Sequence, residues 1–273
     1  MNIITLVENT CGAEGCIAEH GLSLYIETEN HRILADAGQS DAVVKNANKL
    51  GIDLSLVDTI VLSHGHYDHS GGILPVMKLN HTARIYMRKT AAEMHCNGDR
   101  YIGIDTDILK LPNVSLIDGD MKIDDELFLF GGITGRRCYP QSNRKLLKVC
   151  GGEKVPDDFS HEQCLVVTYG REKWLISGCA HNGILNILDR YNELFSGYPD
   201  YVITGFHMMK KDGEYNAEEI SVITETAHEL SKLDTVFYSG HCTGEAAFDI
   251  MKEIMGEKLI ALHSGETVRC GGM

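Results

Sequence analysis

Three histidines and one aspartate fall within six positions, His64-Gly65-His66-Tyr67-Asp68-His69, in a chain with only 13 histidines among 273 residues. Imidazole and carboxylate groups converging from one short loop suit a divalent cation of intermediate softness, zinc first and then iron or manganese. On an extended or tightly looped backbone, His64 and His66 point the same way and can share one metal. Asp68 and His69 emerge beyond the turn and suit a second metal close by. A solvated polar loop is the alternative, and the density of ligand types argues against it.

Holding such a loop takes a rigid strand. Thr59-Ile60-Val61-Leu62 is short, apolar and β-branched, so a buried strand over 59–63 is expected to open into the histidines. Gly71 and Gly72 let the backbone turn beside them into a short helix. Upstream, the pattern predicts a strand over 1–7 and a hairpin of 21–27 against 31–36. Ser40 or Asp41 then caps a helix to Leu50, with Gly51 just past its end. Downstream come a strand over 83–87, a helix over 90–96, and strands at 114–117 and 127–130. A polar, locally basic loop insertion follows near 135–159. The second half predicts strands 164–169 and 173–177, helix 182–195, strand 201–206, helix 217–232, strand 235–239, helix 243–255 and strand 258–262. Two β-rich halves with helices returning between strands imply an α/β (α+β) fold, its sheets packed face to face with helices outside. No Pro- or Ser-rich linker splits the chain, so a single domain over 1–273 is expected.

Composition narrows the partners. Hydrophobic residues at 43% and charged residues at 23% are ordinary for a globular protein. A formal charge of −14 argues against nucleic acid, because phosphate binding wants an excess of Lys and Arg. No apolar run reaches the length of a membrane span. Nine cysteines, at 11, 16, 96, 138, 150, 164, 179, 242 and 270, form no C-x-x-C pair or zinc-ribbon spacing. With no charged-then-apolar leader at Met1-Asn2-Ile3-Ile4-Thr5, they read as reduced, mostly buried thiols in a cytoplasmic protein. The expected partner is a small molecule, and no feature fixes an oligomeric state.

The H-x-H-x-D-H pattern of His64, His66, Asp68 and His69 resembles the signature of the metallo-β-lactamase-fold hydrolase superfamily. Further blocks resemble one branch of it, the branch similar to 7,8-dihydropterin-6-methyl-4-(β-D-ribofuranosyl)aminobenzene-5′-phosphate synthases. They are Leu6-Val7-Glu8-Asn9, Ala18 to Ser23, Ile176 to Ile184, Thr204-Gly205-Phe206-His207 and Gly240 to Gly244. The resemblance implies a four-layer αββα sandwich with two divalent metal ions, zinc first, at one edge of the paired sheets. It also implies further ligands from later strand ends, for which His181 and His241 are the candidates. His161 competes with His181 for the third place on the first metal, and His181 is favoured because its block matches better. Where many relatives end a strand with Gly-Asp, this chain has Gly178-Cys179. Either Cys179 bridges the metals as a thiolate, or it is a buried thiol beside a weakened site. His207 reads as a substrate contact and His20 as a weaker case of the same kind, while His31, His81, His95, His228 and His263 default to structural or surface roles.

The activity this implies is hydrolysis by a metal-bound hydroxide, with Asp68 orienting the nucleophile, on a small phosphorylated or carboxylated substrate. A dihydropterin-type synthase and a non-catalytic metal sensor are the alternatives. Arg136, Arg137, Arg144, Lys145, Lys148 and Lys154 in the basic segment form either a lid attracting an anion or a solvated surface loop.

Overall fold

A computed structural model describes residues 1–268; Cys270 lies outside the described residues. Two seven-stranded sheets face each other. The first runs, edge to edge, Thr267–Val268, Asn2–Val7, Ser23–Glu27, Arg32–Ala35, Thr59–Val61, Arg84–Arg88 and Val114–Ile117. The second runs Leu259–Ala261, Val236–Ser239, Tyr201–Thr204, Glu172–Ile176, Cys164–Tyr169, Leu127–Phe130 and Met121–Lys122. Strand alternation decides which side each residue covers. In Cys164–Tyr169, Leu165 and Val167 turn toward the other sheet, while Cys164 and Val166 turn toward the helices. Trp174 and Ile176 against Leu175, and Ile33 and Ala35 against Leu34, repeat the pattern. The inter-sheet layer therefore joins Leu24, Ile26 and Val61 to Leu129, Trp174 and Ile203. Helices Ile184–Phe195, Ala217–Ser231 and Glu245–Met255 cover the second sheet, and Ala42–Lys49 with Ile73–Met77 covers the first. The result is the expected four-layer αββα sandwich. Among the described residues, no helix is long and apolar enough to cross a membrane.

Two expectations fail. The helix placed over 90–96 is a 3-10 turn, Lys89–Ala92, followed by strand His95–Asn97. Good helix formers lose there because Cys96 pairs across to Leu147 in a small third sheet, and tertiary pairing overrides propensity. The loop expected over 135–159 holds the 3-10 turn Gln141–Lys145 and the hairpin Leu146–Cys150 with Glu153–Pro156. Its Gly151-Gly152 turn has φ of 59° and 88°, the two positive values that a two-residue hairpin loop of the right twist demands. This hairpin joins His95–Asn97 and Arg100–Tyr101 in the four-stranded third sheet.

Candidate metal centre

The histidine loop leaves the carboxyl end of Thr59–Val61, a central strand parallel to both neighbours. Asp36, at the end of the adjacent strand with φ of 56°, sets the loop's start. Its Oδ1 accepts from Ser63 N at 2.7 Å, and its Oδ2 lies 2.7 Å from both Ser63 Oγ and His69 Nδ1. Ser63 Oγ is also 2.8 Å from His64 Nδ1. With Ser63 donating to Asp36, His64 Nδ1–H donates to Ser63. A side chain at Gly178 would collide with Ser63 Oγ, so the two strand ends that build the site can approach only across a glycine.

The second half supplies its partners through the same device. Glu162, buried between the sheets, accepts from His181 N at 2.6 Å and from Asn182 N at 3.0 Å. That fixes the Gly178 to Gly183 turn, in which Ala180 has φ of 52°. His181 Nδ1 lies 3.0 Å from Asn143 Oδ1, and Phe159 stacks on its ring at 4.5 Å and 2°. His241, with φ of 48°, is held by Glu8 Oε1 on its own N–H at 2.5 Å and by Asn9 Oδ1 at 3.0 Å from Nδ1. Four histidines thus have Nδ1 tied to an oxygen, which leaves each Nε2 as the free lone pair.

The structure brings these nitrogens together. The rings of His64, His66 and His181 lie 4.6–4.9 Å apart pairwise. All three of their Nε2 atoms are buried without a hydrogen-bond partner among the described residues, a costly arrangement that a cation resolves. Among the described residues, donor atoms within 4.8 Å of one another form four groups: His64, Cys179 and His181; His69, Cys179 and His241; His20, Asp68 and His241; and His66, His95, Asp157 and His161. Cys179 alone belongs to both of the first two, with its Sγ 3.2 Å from His69 Nε2. The donor set fits divalent metal.

Electrostatics agree with that fit. Burial pushes the pKa of His64, His66 and His181 well below the ordinary histidine range, so they are neutral donors. Burial works against the Asp68 carboxylate as well. The His20 ring, donating at 3.2 Å, and the neighbouring His241 and His69 rings outweigh it and hold Asp68 ionised. Burial, then neighbouring Cys242, pushes the Cys179 thiol up, so the metal-free protein carries it protonated.

An open cavity of about 620 Å³ lies over the site, reaching Asp68, Cys179, His181 and His207. His207 stands at its wall, Nδ1 2.7 Å from Ser142 Oγ, with burial pushing its pKa down to about 3. The basic segment divides. Arg137 pairs with Asp189 and Glu229, Arg144 with Glu218, Lys148 with Asp158 and Lys154 with Asp99, all away from the cavity. Arg136 lies over the Tyr139 ring. From that segment only Lys145 lines the cavity, where it meets Arg100, Lys210 and Lys211. Five of the six residues thus take the surface alternative, and the basic groups at the cavity come from three segments.

His95 and Asp157 were not legible as partners. His95 Nδ1 lies 2.7 Å from Asp157 Oδ2 at zero exposure for both side chains, the structural one of the two roles expected of it. The Asp157/His161 spacing of four was the only sequence signal.

The geometry has relatives. The metallo-beta-lactamase superfamily model matches residues 17–137. An uncharacterized protein of Methanocaldococcus jannaschii is 30% identical over 254 residues, 91% of this chain and 93% of that one. The 7,8-dihydropterin-6-methyl-4-(beta-D-ribofuranosyl)-aminobenzene-5'-phosphate synthase of the same organism is 28% identical, covering 98% of this chain and 96% of its own. The crystal structure of Tm1679, a metal-dependent hydrolase of the beta-lactamase superfamily, matches with a TM-score of 0.84 at 33% identity over 100% of both chains. Zn(2+)-bound PqqB from Methylobacterium extorquens, at TM-score 0.58 and 10% identity over 99% of this chain and 100% of that one, shares the fold alone. On its fold, its histidine loop and these relatives, the chain belongs to the metallo-β-lactamase superfamily.

Proposed function

We propose that the protein is a metal-dependent hydrolase of a small anionic substrate, holding two divalent ions, zinc in the first instance. His64, His66 and His181 would hold one ion and Asp68, His69 and His241 the other, with Cys179 between them. The carrying observation is the convergence of His64 and His181 on one side and His69 and His241 on the other on Cys179, whose sulfur joins both groups of donors, with His66 packed against the first pair. When bound, such ions polarise a carbonyl or phosphoryl oxygen and acidify water. Asp68, lining the cavity and kept ionised with the help of His20, orients a water against the substrate. Lys145, Arg100 and Lys211, beside Asp212 and a Lys210 that pairs with Glu219 at 3.0 Å, leave the rim a modest positive excess that draws a phosphate or carboxylate toward it. His207, neutral at physiological pH, contacts the substrate from the wall.

A second reading, a synthase-type transferase, is supported by the likeness to the dihydropterin synthase over 98% of this chain. The two separate in one assay series. Zinc-loaded protein is offered phosphodiesters, phosphomonoesters and lactones alone, then a dihydropterin with an aryl ribosyl phosphate. Hydrolysis that disappears in His181→Ala and His241→Ala, each with less bound zinc, supports the first reading. Condensation without hydrolysis supports the second. Less than about one divalent ion per chain after zinc supplementation refutes both.

A further inference from the structure

His66, His95, Asp157 and His161 have the composition of a cation site, their donor atoms within 4.8 Å of one another. Proton placement says otherwise. Gly65 N–H is a fixed donor and points at His161 Nδ1, 2.9 Å away. A neutral imidazole that accepts at Nδ1 carries its proton on Nε2. That nitrogen lies 3.3 Å from Asp157 Oδ2 without forming a hydrogen bond to it, one of the buried ring nitrogens that have no partner among the described residues. Binding a metal through the same Nε2 would leave the ring with no proton on either nitrogen. His161 is therefore spent on the backbone of the histidine loop and cannot also be a ligand through Nε2.

We propose that His161 is the positioning residue of the metal loop, holding the Gly65 amide so that His64 and His66 on either side stay aimed at one ion. This rests on the metal-dependent reading above. Beside it, Asp157 lies 2.7 Å from His95 Nδ1 and accepts the Phe159 amide at 2.8 Å on Oδ1. Phe159 stacks on His181. His161 thus ties the loop between two of the candidate ligands, and the neighbouring Phe159 packs the ring of a third. No backbone carbonyl does this work for Gly65, because the loop leaves its strand there and has no ladder partner. A side chain at Gly65 is excluded in turn, since its Cβ would sit 2.6 Å from Ala91 O.

Two isosteric substitutions separate the two nitrogens. In His161→Asn the amide oxygen can stand where Nδ1 stands and keep the Gly65 bond. In His161→Gln the amide can stand where Nε2 stands, facing Asp157 but abandoning Gly65. Zinc affinity, measured by chelator competition, is expected to fall about 10–100-fold in His161→Gln and to stay within about threefold in His161→Asn. Gly65 amide exchange in metal-free protein is expected to speed up in His161→Gln only, and the wild-type ring to show the Nε2–H tautomer by nitrogen NMR. A general structural role would lower unfolding stability in both variants and leave zinc affinity untouched, which overturns the proposal. A His161 ligand would lose zinc in both variants and show an Nδ1–H ring, which also overturns it. If the wild type bound no zinc, the functional reading would fail and the loop-positioning role with it, while the tautomer and Gly65 exchange would still test the hydrogen-bond chain separately.

Discussion

Asp36→Asn should disable the metal centre while moving no heavy atom. The geometry fixes which way the new amide must sit. Ser63 N is an obligatory donor to Oδ1 at 2.7 Å, so the amide oxygen stays there and the NH₂ takes the Oδ2 place. That group now points a donor at Ser63 Oγ and at His69 Nδ1, each 2.7 Å away. Ser63 can rotate its proton, but His69 can avoid a donor–donor clash only by moving its proton to Nε2. The proton then fills the lone pair that faces Cys179 Sγ at 3.2 Å and His241 Nε2 at 3.1 Å. Zinc must pay to restore the tautomer. Losing such a partner behind a metal-binding histidine costs about 10–100-fold in affinity, or roughly 1.4–2.8 kcal/mol. Chelator competition with zinc reads the first number, and nitrogen NMR of His69 reads the tautomer directly. An Asp36→Asn protein that binds zinc as tightly as wild type, with His69 still protonated on Nδ1, would refute the reasoning.

Two further outcomes test the scaffold. Trp174 is fully buried, stacked on Tyr201 at 4.0 Å between the sheets, so Trp174→Ala should cost about 3–5 kcal/mol in urea unfolding. A loss under about 1 kcal/mol would mean the inter-sheet layer collapses around the gap. His31 sits between Asp58 at 3.0 Å and Asp124 at 2.8 Å. Burial opposes its charge, and the two carboxylates outweigh burial and raise its pKa. A raised folded pKa means this stabilisation is complete below the unfolded value of about 6.5 and fades as pH climbs through the folded value. His31→Ala should therefore lose most, under about 1 kcal/mol after solvent screening, at pH near 6, and least well above neutrality. A deficit that grows with pH contradicts the pairing.

Legibility followed the physics of each feature. Strands of the second half were readable because burial on both faces makes them short, nearly continuous apolar runs, as in Cys164–Tyr169. The four histidine-loop donors were readable because their spacing is local. His181 and His241 needed the strand-end rule together with the family likeness. The Gly151-Gly152 hairpin carried its signal openly, between alternating Leu147, Val149 and Val155, but the basic charge drew attention instead. Asp36 and Glu162 were not legible at all. Their roles arise from backbone amides far away in sequence, and nothing in residue type marks a carboxylate that faces inward. His95 was hidden by a segment whose helix propensity loses to cross-strand pairing.

The strand Thr267–Val268 pairs with Asn2–Val7, and Ser264 just before it grips Glu8, its Oγ accepting the Glu8 amide at 2.7 Å. Glu8 is the residue that holds the His241 amide. During synthesis the histidine loop emerges early, yet the second cluster stays unfinished until residues beyond 264 have returned to the first strand. A metal ion offered before then would meet half a site, and the second cluster becomes competent only once Ser264 has docked on Glu8.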